Sequence, residues 1–437
     1  MLGRMRRAEP AARHRARGAL VAAVLLAALA AACAGGSTGT EVRSKAAREP
    51  IDRSTTAATV RSNSELAADL YRALARRGGN FVFSPYAVSL ALAEVAAGAR
   101  GVTALQLAGT QHQVAGQDLP SGLNTLGQQI ASRAGDRQNT VRQGQVSIDL
   151  PVSLWGQLDT LVEQPFLDQL ARWYGTGIRL VDFRSDPGSA RTQVNNWMAQ
   201  ESSSQFESVV PPGQVTEATR LLMTAGAFIA APWDERFDAS RTRQTTFRRL
   251  DGSTTDVTTM SISSPEGLLY GSGDGWQAVM LPFLGRQLAM VLLVPDEGRF
   301  RSVESQLDGP GFQSVLDALH PLPLDLDMPR FQFSTGLTLD PLLRAGGLTT
   351  LFDPAKSELP GITGDEALWV DHFDEDAFIS ADEEGMEASA PTAVHPAPPM
   401  PTARTTLQVD RPFLVAVVDR ASGAPLLFGR VVDPTQP

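Results

Sequence analysis

Two runs of the sequence leave the chain little freedom in what it can build. "QAVMLP" and "LAMVLLVP" flank "FLGRQ" between Gln277 and Pro295, and "FLVAVVD" and "PLLFGRVVDP" flank "RASGA" between Phe413 and Pro434. Each reads as strand, turn, strand. Neither alternates apolar with polar residues, so both hairpins belong in a sheet covered on each side. "FVFSPYAVSLALAEVAAGARG" adds a short buried strand, Phe81 to Phe83, and a helix opened by Ser84-Pro85 that ends near Gly98. A helix apolar on nearly every side belongs in the middle of the fold. "SELAADLYRALARR" sets Leu66, Leu70 and Leu74 on one helical face, with Ser64 as the predicted N-cap. "FLDQLARWYG" reads as helix and "IRLVDF" as strand. Helices early and long antiparallel strands late predict an α+β fold. With 437 residues, 43% of them hydrophobic, and no repeat or shift of composition after residue 63, one large domain over residues 63–437 is expected.

The amino terminus has a different character. Six arginines between Arg4 and Arg17 precede the apolar run Ala19 to Ala32, and the chain's single cysteine, Cys33, follows. Fourteen apolar residues are too few to span a bilayer comfortably and suit a secretory signal over residues 1–32. The pattern around Cys33 resembles a bacterial lipoprotein signal, which implies a lipid on that thiol and a place on the extracytoplasmic face of a membrane. Without residues 1–32 the formal charge falls from −10 to −15, because six arginines and one glutamate leave. So acidic a chain argues against nucleic acid and anionic lipid as partners. One cysteine leaves no disulfide to stabilise the fold. Residues 33–62, rich in Gly, Ser, Thr, Arg and Ala, are expected to form a flexible tether.

Enzyme signatures are missing. No HExxH, GxSxG, GxxxxGK[ST] or cysteine pair occurs, and the five histidines stand apart. "GSGDG", Gly271 to Gly275, opens no helix and reads as a turn. "DHFDEDAF" lacks the glycine of a calcium loop and reads as a solvated acidic edge. No metal or cofactor is expected.

Between the last two strand regions lies "ADEEGMEASAPTAVHPAPPMPTAR", Ala381 to Arg404. It starts acidic, passes through very small residues and ends among prolines. A structureless segment of this length inside a domain is usually functional. A proline-rich spacer or polyproline ligand is the plainer alternative.

Segments in order along the whole domain resemble the serpin family. Asn80, Phe83, Ser84, Pro85, Gly98, Ala99, Gly101, Thr103 and Gln106 match its strand-to-helix signature, and Asn195 and Trp197 its Asn-x-Trp. Trp233, Phe237, Thr242, Phe247, Gly252, Val257 and Met260 follow its spacing, as do "MPRFQF" and both hairpins. The resemblance implies the serpin fold: a large main sheet with further sheets, about nine helices and an exposed reactive-centre loop. That loop is bait for a serine or cysteine protease. Once cut, it inserts into the main sheet and drags the acylated protease with it. The resemblance places the hinge of the loop on Glu383, Gly385, Met386, Glu387, Ala388, Ser389, Ala390 and Thr392. It puts the bait bond at Pro399–Met400, with Thr402–Ala403 and Arg404–Thr405 also open. Met400–Pro401 is disfavoured by the proline ring. Small and apolar residues around the bond favour an elastase- or subtilisin-like target, and a monomer is expected. Counted by alternate residues, Met386, Ala388, Ala390 and Thr392 would face the core.

Several positions depart from the pattern. Met386 replaces a small residue, and Pro391 cannot donate to a strand ladder. The region where the sheet opens keeps Ser84 and Trp233, but Ala225 replaces asparagine and Glu375 replaces histidine. These departures keep open a second reading, a non-inhibitory serpin that binds partners at the cell surface through its proline-rich loop.

Overall fold

The computed structural model describes residues 38–364, 367–387 and 404–436. The strands of its main sheet, numbered in chain order, are β1 (Thr40–Val42), β2 (Val152–Gln157), β3 (Ile178–Val181), β4 (Leu221–Pro232), β5 (Phe331–Thr338) and β6 (Val370–Ala381). Their spatial order is β1-β3-β2-β4-β6-β5. β4 and β6 are parallel neighbours, paired from Val370↔Leu221 to Ala377↔Ala227. β2 runs antiparallel to β4, and β5 antiparallel to β6. Gln143–Asp149 pairs with the upper part of β4, with Ser147 opposite Ala230.

Both predicted hairpins form, and they lie side by side in a second sheet. Val279 faces Leu292 in one, Ala416 faces Phe428 in the other, and Leu292 faces Val415 between them. Every residue of Leu288–Pro295, Phe413–Asp419 and Pro425–Val431 is buried, as their two-sided apolarity requires. Helix Thr56–Ala75 covers this sheet through Tyr71, whose ring lies 5.3 Å from that of Phe428. Helix Pro85–Ala96 is the predicted central helix. Ser84 caps it by accepting the Ala87 N–H, Pro85 occupies its first turn, and all its residues but Leu90 and Ala96 are buried. Just past it, a Cβ at Gly98 would lie 2.2 Å from Ile362 Cγ1, so this close approach requires glycine. The centre of the main sheet, β2, β4 and β6, is buried on both faces. Leu154, Met223 and Ala225 join the core around the central helix, whereas Trp155, Leu222 and Phe228 pack with Val194, Trp197 and Met198 of helix Pro187–Glu201. Ten α-helical segments are present among the described residues.

The amino-terminal region departs from expectation. The composition of residues 33–62 predicts a flexible tether, yet the compact unit begins at Gly39. β1 extends the main sheet at its β3 edge, Thr40 opposite Leu180 and Val42 opposite Ile178. Beyond it the Arg48 guanidinium donates to Asn124 Oδ1 (2.9 Å), and the Glu49 N–H donates to the Arg172 carbonyl (2.8 Å). The first helix starts at Thr56, so Ser64 lies inside it rather than capping it. This strap is held by backbone pairing and polar contacts, and apolar patterning does not register those.

Candidate functional site

The site is built where β4 and β6 part. Their pairing ends at Ala227 and Ala377, four to five residues short of the end of each strand. β6 stops at Ala381, the chain turns through Asp382–Glu384, and Gly385–Met386 runs back antiparallel to β4, opposite Pro232 and Ala231. Asp382 makes the turn. Its carboxylate accepts the N–H groups of Glu384 (2.7 Å) and Gly385 (3.0 Å), and its own N–H donates to the Gly385 carbonyl. Gly385 has φ +155°, and a Cβ there would lie 2.2 Å from the Ala231 carbonyl oxygen. No other residue fits without displacement. Met386 is fully buried in the main core. Glu387 then turns out of the sheet with φ +47°, exposed, its N–H donating to Ser380 Oγ. Below this point the Phe228 and Phe378 rings, 5.9 Å apart, meet across the seam between β4 and β6.

A polar clamp fixes the turn. Trp233 Nε1–H donates to the Asp382 carbonyl (2.7 Å) and the Trp233 N–H to the Glu384 carbonyl (2.9 Å), while the indole stacks on Phe283. Glu383 accepts from Arg330 (2.6 Å) and from the Thr242 hydroxyl. Burial pushes its carboxyl up, but these two bonds outweigh that and hold it below the usual glutamate value. Glu384 is paired with Arg142 (3.3 Å) and Arg236 (3.0 Å), and Arg142 also donates to the Trp233 carbonyl. Of this clamp, Glu383 and Trp233 are the residues expected from sequence. Arg142, Arg236 and Arg330 lie far away along the chain and carry no local signal, although Asp382-x-x-Gly385 has the marks of an Asx turn.

Deeper in the seam, Glu375 stands opposite Ala225. Alanine offers no hydrogen bond across the seam. Glu375 Oε1 instead accepts the backbone N–H of Ser84 (2.6 Å), and its other oxygen meets no partner among the described residues. The Ser84 hydroxyl is occupied as the helix cap. Burial, opposed by the Ser84 bond and reinforced by neighbouring Asp376, pushes the Glu375 carboxyl up to about 8. Asp374 and Asp376, also raised mainly by burial, reach about 6. The segment read as a solvated acidic edge is therefore largely interior, because β6 is a central strand covered on both faces. No group of metal-ligating side chains occurs among the described residues.

Ala388, Ser389, Ala390, Thr392, Pro399 and Met400 lie outside the described residues, as does Cys33. Arg404 lies within them. Its side chain is 4% exposed and paired with Asp325 (3.3 Å), and Thr405 next to it begins a strand on Leu324. Arg404–Thr405 is thus built into the second sheet and is closed to a protease.

A family model described as Serpin (serine protease inhibitor) matches residues 61–434. Antithrombin-III of Mus musculus is 29% identical over 394 residues, covering 86% of this chain and 81% of the relative. Leukocyte elastase inhibitor A of Rattus norvegicus is 26% identical over 382 residues (85% and 98%). A serpin-like protein of Thermococcus kodakarensis, described as uncharacterized, is 29% identical over 370 residues (84% and 83%). Among solved structures, maspin aligns with a TM-score of 0.77 at 21% identity (87% of this chain, 100% of that one). The native thermophilic serpin tengpin aligns at 0.78 and 19% (91% and 100%). At such identities the structures speak for the fold alone.

Proposed function

The chain belongs to the serpin family of protease inhibitors, and from that premise we propose that it traps an extracellular serine protease on its reactive loop. The observation that carries this reading is Gly385–Met386, already paired with β4 beyond the point where β4 and β6 part. The protease serine oxygen attacks the Pro399 carbonyl carbon, the bond to Met400 breaks, and the Met400 amine leaves with a proton. The loop remains joined to the protease as an ester. Its released end continues the strand that Met386 begins, and each added residue forms ladder hydrogen bonds on both sides. Insertion must outrun hydrolysis of the ester.

The small and apolar residues around Pro399–Met400 favour an elastase- or subtilisin-like target. With Arg404 buried, no arginine is left to present to a trypsin-like one at that bond. We place the protein outside the cytoplasm, acting as a monomer held to the membrane by lipid on Cys33. The second reading, a non-inhibitory binding protein, is favoured by Glu387, whose left-handed backbone turns the chain out of the sheet, and by Pro391 further along the loop. Incubation with elastase, subtilisin, chymotrypsin and trypsin followed by denaturing electrophoresis decides between them. Inhibition predicts an SDS-resistant species with elastase or subtilisin. Cleavage of the loop by the panel without any such species would refute it.

A further inference from the structure

Leu161 is 84% exposed, the most exposed large apolar side chain among the described residues, and Leu158, in the same turn, is 51% exposed. The turn begins where β2 ends: Gln157 lies opposite Val181 at the end of β3, and the Thr160 N–H closes back onto the Gln157 carbonyl. Gly39, the first residue of the compact unit, packs at this same end, where a Cβ on it would sit 2.9 Å from Val181 Cγ1 and 3.2 Å from the Trp155 ring. β1 runs antiparallel to β3, so the chain reaches the domain from this end. Five residues lie between Cys33 and Gly39, six steps that span at most about 21 Å. Between the two leucines, Asp159 is paired with Arg184 (3.0 Å), which cancels the charge at the tip.

We propose that the turn Leu158–Leu161, beside the point where the amino-terminal segment joins the domain, docks into the interfacial region of the phospholipid bilayer. This rests on the reading that Cys33 carries a lipid: the short link holds the turn within reach of the bilayer, and two leucines on a neutralised tip suit an apolar interface. Contact comes from apolar insertion, not attraction to anionic headgroups, in keeping with the acidic chain. The hinge lies at the other end of the main sheet, where Gly385 faces Pro232 at the far end of β4. Docking therefore keeps the hinge at the end away from the lipid.

The test uses the full-length protein, purified from membranes and reconstituted in phosphatidylcholine vesicles. An environment-sensitive fluorophore is placed on Thr160→Cys, between the leucines, which leaves the Asp159–Arg184 pair in place. A control is placed on Val141→Cys, 70% exposed and next to the Arg142 clamp at the hinge end. Flotation first reports whether the protein is anchored. Docking predicts a blue shift and quenching by spin-labelled lipid at position 160 but not at 141, abolished by L158D/L161D without loss of flotation. Flotation with position 160 as aqueous as 141 overturns the docking and leaves the anchor standing. Failure to float overturns both.

Discussion

Glu375 shows how much one side chain can decide. Its carboxyl, pushed up to about 8 by burial against an ordinary value of 4.5, is protonated in the native state at pH 7 and ionised in the unfolded one. The stability it contributes is therefore fully present below about pH 4.5 and is lost as pH rises towards 8, where the folded carboxyl itself ionises. Asp374 and Asp376 act in the same direction over the lower part of that interval, and buried Glu94, also raised to about 8, over all of it. Glu375→Gln should flatten the fall in melting temperature between pH 6 and 8 and leave the protein more stable at pH 8, by on the order of 2–4 kcal/mol; an unchanged profile would show that the buried carboxyl is not what titrates. Gly385 is the second such residue. Gly385→Ala places a methyl against the Ala231 carbonyl and should cost roughly 1–3 kcal/mol. It should also speed cleavage of the loop by subtilisin, because the hinge is expelled from the sheet. Arg404 makes the opposite point: trypsin should leave Arg404–Thr405 intact in native protein, as peptide mapping of digests will show.

At the scale of elements, the hinge strand and the strap behave differently from their sequences. Met386 reads as an obstacle to insertion, since a long side chain has to enter a packed seam. It is instead already inside, buried in the core before any cleavage. Met386→Thr should therefore destabilise the uncut protein by roughly 1–3 kcal/mol, as loss of a buried apolar side chain does, rather than improve it. Denaturant melts of the two uncut proteins give the sign directly. The strap carries the second expectation. β1 covers the β3 edge through backbone bonds, and an exposed edge strand invites pairing with another chain. Deleting residues up to Asp52 should lower the melting temperature and produce concentration-dependent oligomers by light scattering, and a stable monomer would show the strap to be dispensable.

For the whole molecule, the parts legible in the sequence were those written in side-chain pattern. The two doubly apolar hairpins and the capped central helix after Ser84 carry their own periodicity or composition, and each lies where that pattern placed it. The arginine partners of Glu383 and Glu384 and the amino-terminal strap were not legible. They depend on arginines more than fifty residues away from the turn and on backbone pairing that any residue can make. The proposed bait segment, Ala388 to Ala403, lies outside the described residues. What unites these parts is a main sheet opened by two residues and held there, with the Phe228–Phe378 contact closing the seam below. The most direct measurement is the melting temperature before and after a single cut in the loop by subtilisin. Insertion of the freed strand, adding many ladder bonds to a sheet that now lacks them, predicts a rise of at least about 10 °C. A nicked protein that melts with the uncut one would contradict the account.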